Sequence, residues 1–280
     1  MEERIIKGKA LYTPKGAAYE YGRVGCNFYT GCPHGCLYCY LQRGVLKKQL
    51  GSTEVRLKKC FGSNAEALGV LGAEIKANRD YLQNTGVFMS FTTDPLIPET
   101  IDMTISAMRM FVDYEIPVRL LTKNADFINN RRMELILRHD REVREYVSFG
   151  FTLTGRDDME PKASPNMKRV QTMGVLHSIG FKTFASLEPV IDWPSTEKIF
   201  HSSLLFCDHY MLGLRSGVGK DYYNILDSGT AIERIIRTCE VCNKTIYLKE
   251  SVRKLLQKYL QPGAYEGLLS HTVDMDGNRY

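Results

Sequence analysis

Cys32-Pro33-His34-Gly35-Cys36-Leu37-Tyr38-Cys39 puts three cysteines on one short loop, spaced C-x-x-x-C-x-x-C, with an aromatic just before the last. Three thiolates so placed can hold three corners of a cubane iron–sulfur cluster. The loop offers no fourth ligand, so one iron would stand open to bind a substrate or cofactor directly, and the pattern predicts an enzyme. Gly31 and Gly35 sit beside the ligands, where backbone free of a Cβ can turn tightly enough for several thiolates to converge. The plainer alternative is a zinc-stabilised binding module in which Cys26 joins the trio to close a tetrahedron of four thiolates. The spacing argues against it, because only Cys36 and Cys39 form a C-x-x-C knuckle here and His34 lies inside the loop, between two ligands.

Outward from this loop, short β-rich runs alternate with amphipathic helical stretches. Strands are expected at residues 24–28, 87–93, 118–123, 146–153, 182–187, 204–212 and 245–249. A capping box at Ser63-Asn64-Ala65-Glu66 opens a helix carried by Leu68, Leu71, Ile75 and Leu82. Ile101, Ile105, Met108 and Val112 mark the next helix, and another covers residues 128–139. Pro165 is placed as a first-turn proline, Gly180 as a helix stop, and Pro194 opens a short helix. Thr230-Ala231-Ile232-Glu233 reads as a second capping box. Such alternation argues for α/β architecture with parallel strands covered by helices. About seven strands are too few for a closed eight-fold barrel, so the expectation is a partial, open (β/α)6-type barrel. One domain spans 1–280, with a core at about 20–250 and a C-terminal extension at about 251–280, whose tail from Gln261 to Tyr280 is either a lid or frayed. In sheets of this kind chemistry sits at the C-terminal ends of the strands, and the cysteine loop follows the first strand on that rim.

Bulk properties agree with a soluble protein: 44% of residues are hydrophobic and 25% charged. No apolar run approaches the roughly 20 residues of a membrane span. The opening Met1-Glu2-Glu3-Arg4-Ile5-Ile6-Lys7 lacks the apolar core of a secretory signal. A cytoplasmic location with no membrane partner is therefore expected. The formal charge of +5 suits an anionic substrate or nucleic acid, without any basic tail to demand one. The eight cysteines are not spread as a disulfide framework. Cys239 and Cys242 form another short pair, read as small buried side chains rather than as a second cluster or redox site. The six histidines show no metal-binding spacing.

The run Asn27-Phe28-Tyr29-Thr30-Gly31 followed by the cysteine loop and Tyr40 resembles the radical S-adenosylmethionine (SAM) superfamily. More narrowly it resembles the spore photoproduct lyase-like branch, also called DNA repair photolyase-like, over residues 21–190. The resemblance implies a [4Fe–4S] cluster on Cys32, Cys36 and Cys39 that chelates SAM through its amine and carboxylate. It implies reductive cleavage to a 5′-deoxyadenosyl radical that abstracts hydrogen from a substrate, fed by a low-potential donor of flavodoxin or ferredoxin type. A radical of that reactivity needs a site that shields it from water, which a barrel interior provides.

The resemblance also assigns positions along the rim. Thr92, Thr93 and Asp94 after the second strand would hold the SAM amine, though Asp-Pro is also a common turn starter. Lys123 would pair with the SAM carboxylate. Ser148 and Thr152, on one face of the fourth strand with Gly150, would meet the methionine or ribose part. Glu188, before Pro189 and Val190, would line the adenine pocket. Tyr38 would pack around the cluster with Tyr40. Glu160 and Arg169 would pair with each other or hold substrate, with a surface salt bridge as the plainer reading. Phe91 stands where spore photoproduct lyases carry a hydrogen-donating cysteine, and about 31 residues precede Cys32. The reaction after hydrogen abstraction therefore stays open, with nucleic-acid repair or modification as the alternative.

Overall fold

A computed structural model describes residues 4–43, 47–48, 50–219, 221–274, 277 and 279. In chain order its elements are β1 (Leu11–Tyr12), β2 (Gly25–Cys26), β3 (Tyr29–Thr30), β4 (Arg56–Leu57), α1 (Asn64–Thr85), β5 (Val87–Met89), α2 (Ile101–Asp113) and β6 (Val118–Thr122). There follow α3 (Arg131–His139), α4 (Arg141–Tyr146), β7 (Val147–Thr152), α5 (Asn166–Ser178), β8 (Lys182–Val190), α6 (Trp193–Ser203), β9 (His209–Leu214), α7 (Ile225–Val241), β10 (Thr245–Leu248), α8 (Glu250–Tyr259) and α9 (Pro262–Leu269). One sheet runs β1-β2-β5-β6-β7-β8-β9-β10, parallel throughout except for the antiparallel β1–β2 pair. β1 and β10 do not pair, so the sheet is open, as the strand number led one to expect.

Side-chain alternation gives the sheet two chemically different faces. Leu120, Phe149, Phe151, Ala185, Leu187, Tyr210, Leu212, Ile246 and Leu248 belong to the main apolar core beneath the helices. The intervening residues face the inner side. There Phe184 lies where any side chain on Gly150 would have to go, and Met211 and Tyr247 form a separate small cluster with Val273 and Tyr21.

The helix starts show why local reading worked where it did. Ser63 Oγ accepts from Glu66 N at 3.1 Å and starts α1 as the capping box requires. Glu74 of α1 then accepts from the N–H groups of Lys9, Ala10 and Leu11 at 2.6, 3.2 and 2.7 Å, which docks β1 on the helix. Pro165 precedes α5, Gly180 follows it at φ +89°, and Pro194 lies in the first turn of α6 behind the cap Asp192.

Several boundaries differ from the sequence reading. The first strand is only Gly25–Cys26, and the Asn27 side chain that follows it bonds Tyr12 Oη and Phe91 N. The second stops at Met89, where Ser90 Oγ turns to Thr93 O. The helix expected over 128–139 is divided: a 3₁₀ turn, Asp126–Asn129, precedes α3, and Asn130 and Asp140 cap α3 and α4 separately. The apolar run 204–212 becomes strand only from His209. Thr230 starts no helix. Asn224 caps α7 by accepting from Leu226 N and Asp227 N, and Thr230 Oγ donates to Leu226 O inside it. The C-terminal stretch includes α9, and Leu268, Thr272 and Val273 are buried. Val273 N donates to Ile246 O on the outer margin of β10, and Lys7 bridges Tyr12 at the other margin of the sheet. Among the described residues no helix is long and apolar enough to cross a membrane.

Candidate active site

The cysteine loop lies on the rim formed by the C-terminal ends of the strands. Gly31 has φ +85° and approaches Glu54 O so closely that a side chain would not fit, while Cys32 N donates to Ser52 O at 2.9 Å. On the other side Leu37 N reaches Met159 O at 3.0 Å and Lys162 N reaches His34 O at 3.1 Å. The loop is thus wedged between residues 52–54 and the β7–α5 connection. Its three cysteines are half-buried and free of disulfides. Burial, with Asp94 nearby, pushes the Cys32 thiol up to about 12, and burial raises Cys36 against the pull of Lys123.

No group of three or more His, Cys, Asp or Glu side chains among the described residues is gathered around a point that could take a single ion. A mononuclear zinc site needs all its sulfurs about 2.3 Å from one centre, whereas a cubane takes each thiolate on a different iron. Cys26 is fully buried in the main apolar core, apart from the half-buried loop cysteines. Cys239 is also buried in that core, where burial raises its thiol to about 12, and Cys242 is exposed at the end of α7.

Two buried polar networks pin the loop from behind. In the first, His34 Nε2 lies 2.7 Å from Asp94 Oδ2, with both side chains buried. A carboxylate only accepts, so Nε2 carries the proton, and Nδ1 is buried without a partner. Asp94 also accepts from Leu96 N, from Thr122 Oγ1 and from Lys123 N at 2.9, 2.7 and 2.7 Å. Burial alone would raise its pKa, but His34 and the backbone donors hold it below the usual value. In the second network Tyr38 Oη donates to Glu160. Glu160 pairs with Arg169 at 2.8 Å, both fully buried, so this is no surface bridge. Arg169 further donates Nε to Ser164 O and Nη1 to Thr152 O, at 2.7 and 2.8 Å, and its Nη2 is buried with no partner.

Lys123, at the end of β6, lies 5.7 Å from the centroid of the Tyr38 ring. Burial would lower its pKa, but Cys36 and Glu160 outweigh that and raise it, against opposition from Arg169. Lys123, Arg169, Tyr38 and Cys36 therefore share one zone. Thr92 Oγ1 donates to Tyr29 O at 2.6 Å, and the Thr93 hydroxyl is buried without a partner. Thr152 ends β7 at the rim, but Ser148 is the second residue of the strand, level with Arg119 and Lys182. It stands four residues below Thr152, about 13 Å at the usual strand rise, and is not brought to the loop.

Glu188 belongs to a third network, on the far side of the inner face. Its carboxylate accepts from Tyr21 Oη and, at 2.7 Å, from Lys249 Nζ. Lys249 also donates to Ala17 O at 3.0 Å and stands 4.2 Å from the Tyr21 ring centroid. Glu20 accepts from Tyr247 Oη and Glu250 N at 3.0 and 2.7 Å. The 3₁₀ segment Gly16–Tyr21 thereby straps β8 to β10 across the interior. Burial, then Glu188, raises the Tyr21 phenol well above its usual pKa. Beside the strap Phe91 stacks on Phe88 at 4.7 Å, edge-on to Tyr12 and Tyr21, and Tyr40 Oη donates to Phe91 O. The sequence reading missed Glu20, Tyr21 and Lys249, and passed over His34 except as a ligand. Only Lys249, polar at the end of an apolar run, carried a local signal.

No protein-family model and no curated protein matches the chain. Solved structures do. A spore photoproduct lyase mutant superposes with a TM-score of 0.51 at 14% identity over 91% of this chain. SuiB from Streptococcus suis, in a crystal structure bound to S-adenosylmethionine, gives 0.56 at 12% identity over 82%. The fold is that of radical SAM enzymes. A radical SAM methyltransferase from Sphaerobacter thermophilus gives 0.50 at 13% identity over 82% of the chain. This chain spans 64% of the lyase, 51% of SuiB and 67% of the methyltransferase. The likeness bears out the open α/β barrel expected from the alternation of strands and helices.

Proposed function

We propose that the protein is a radical SAM enzyme, with Cys32, Cys36 and Cys39 holding a [4Fe–4S] cluster and S-adenosylmethionine bound beside it. The observation that carries this reading is the pair of cations facing the loop, Lys123 beside Cys36 and the buried Arg169 Nη2 that lacks an acceptor. A buried donor without a partner costs roughly 1–3 kcal/mol, more when charged, so an anion belongs there. The carboxylate of SAM suits Lys123, which is only half-buried, and the unpartnered hydroxyl of Thr93 is a further polar contact on the same rim. Asp94 would act by fixing the loop, since its oxygens already serve His34, Thr122 and two backbone donors.

When bound, cluster and SAM supply one-electron cleavage of a sulfonium C–S bond and hence a 5′-deoxyadenosyl radical. The chain's own part is to place and shelter that chemistry. Tyr38, held by Glu160, backs the loop, and the aromatic group of Phe88, Phe91 and Tyr21 keeps water from the inner face nearby. The electron would come from a flavodoxin- or ferredoxin-type donor. Anaerobic reconstitution with iron and sulfide tests the reading. Iron and acid-labile sulfide should load, dithionite and SAM should then yield 5′-deoxyadenosine, and Cys36→Ala should lose both. Protein that stays colourless and iron-free after loading would refute it.

A further inference from the structure

Arginines around the rim fall into two classes. Arg156 pairs with Asp158 and Asp192 at 2.8 and 2.7 Å, and Arg169 with Glu160 at 2.8 Å. Among the described residues Arg43 and Arg215 have no carboxylate partner. Arg43 follows the 3₁₀ turn Tyr40–Gln42 of the cysteine loop and reaches across the mouth, where Nη1 donates to Ser216 O at 2.5 Å. Gly217 accommodates it: φ is +68°, and a side chain there would collide with the Arg43 guanidinium. Arg215, one residue before that carbonyl, follows β9 directly. Its guanidinium lies 5.8 Å from the centroid of the Tyr222 ring, and its Nε is buried with no hydrogen-bond partner. Tyr222 is 42% exposed while its hydroxyl is anchored to Ile191 O at 2.9 Å, so the ring is a fixed, accessible platform.

We propose that Arg43 and Arg215 take a phosphoryl group of the substrate at the mouth of the barrel, beside the Tyr222 ring. The guanidinium fork matches phosphate oxygens bidentately, and an anion there would satisfy the donor that the protein leaves unmet. Two rim carboxylates are already committed, Glu188 to Lys249 and Tyr21, and Asp192 to Arg156 and the α6 cap. The assignment rests on the radical SAM reading only in calling the ligand a substrate.

Equilibrium titration of the full chain with ribose 5-phosphate, with ribose as control, tests it at fixed ionic strength. Wild-type protein should bind the phosphate saturably and ribose not at all. Arg215→Gln and Arg43→Gln should each weaken binding about tenfold, the scale of one lost charge-assisted contact. Arg215→Lys should retain part of it, as charge without the fork. Equal behaviour of ribose and ribose 5-phosphate would overturn the proposal. So would wild-type affinity in both glutamine variants, with their folding checked by circular dichroism. Iron and sulfide content of the same wild-type sample decides the cluster separately, so either reading can fail without the other.

Discussion

The two sides of the rim bury charge in opposite ways. On the β8–β10 side Lys249 is balanced by Glu188, with Glu20 3.8 Å away, a second donor going to Ala17 O and the Tyr21 ring centroid 4.2 Å from Nζ. That network is complete. On the β5–β7 side Glu160 answers Arg169 and Tyr38, yet Arg169 Nη2 has no acceptor, and Lys123 lies 5.7 Å from the Tyr38 ring centroid. A satisfied network rigidifies a fold, whereas an unmet buried donor marks where a water, an ion or a ligand would be held. The same burial of Lys and Glu thus reads as a clasp in one region and as a site in the other.

The comparison can be broken most sharply at Glu160. Glu160→Gln should leave Arg169 buried without a counter-charge and destabilise the protein by about 3–5 kcal/mol, read as a fall in denaturation midpoint at unchanged m-value. A loss below about 1 kcal/mol would mean that solvent reaches the pair. Exchanging the two lysines sharpens the contrast. Lys249→Met should cost about 3 kcal/mol by stranding Glu188 while leaving SAM affinity within about twofold, a bound well under the tenfold step of 1.4 kcal/mol. Lys123→Met should do the reverse: stability within about 1 kcal/mol, and SAM binding by the loaded protein weakened about tenfold. Matching effects in both variants would erase the distinction.

A test by pH concerns His209, whose pKa burial and then Arg119 lower to about 4. Unfolded, the imidazole titrates near 6.5. Its folded pKa is depressed, so between about pH 6.5 and 4 the unfolded chain binds a proton that the folded one refuses, and stability falls as pH falls through that window. His209→Gln should flatten the drop in melting temperature over this range. An unaltered slope would place the imidazole in free contact with water.

The cysteine motif was legible because every ligand and both turning glycines lie within nine residues, from Gly31 to Cys39. Helix starts at Ser63, Pro165 and Pro194 were legible for the same local reason. Thr230 misled because Ser/Thr-x-x-Glu is also met inside a helix, where the threonine simply bonds back to Leu226 O. For Ser148, period two gave the face correctly, but nothing in alternation states the height along the strand. The strap was out of reach altogether, since Glu20 meets Tyr247 across 227 residues. Asn27 likewise bonds Phe91 N across 64 residues. What the sequence hides is therefore chiefly partnership at long range, and this molecule keeps much of its polar chemistry there.

An open sheet has two margins, and each here is overlaid by its own chain: Lys7 bridges Tyr12 on one side, and Val273 donates to Ile246 on the other. Bare margins recruit foreign strands. Among the described residues each margin thereby offers a foreign strand fewer free backbone groups.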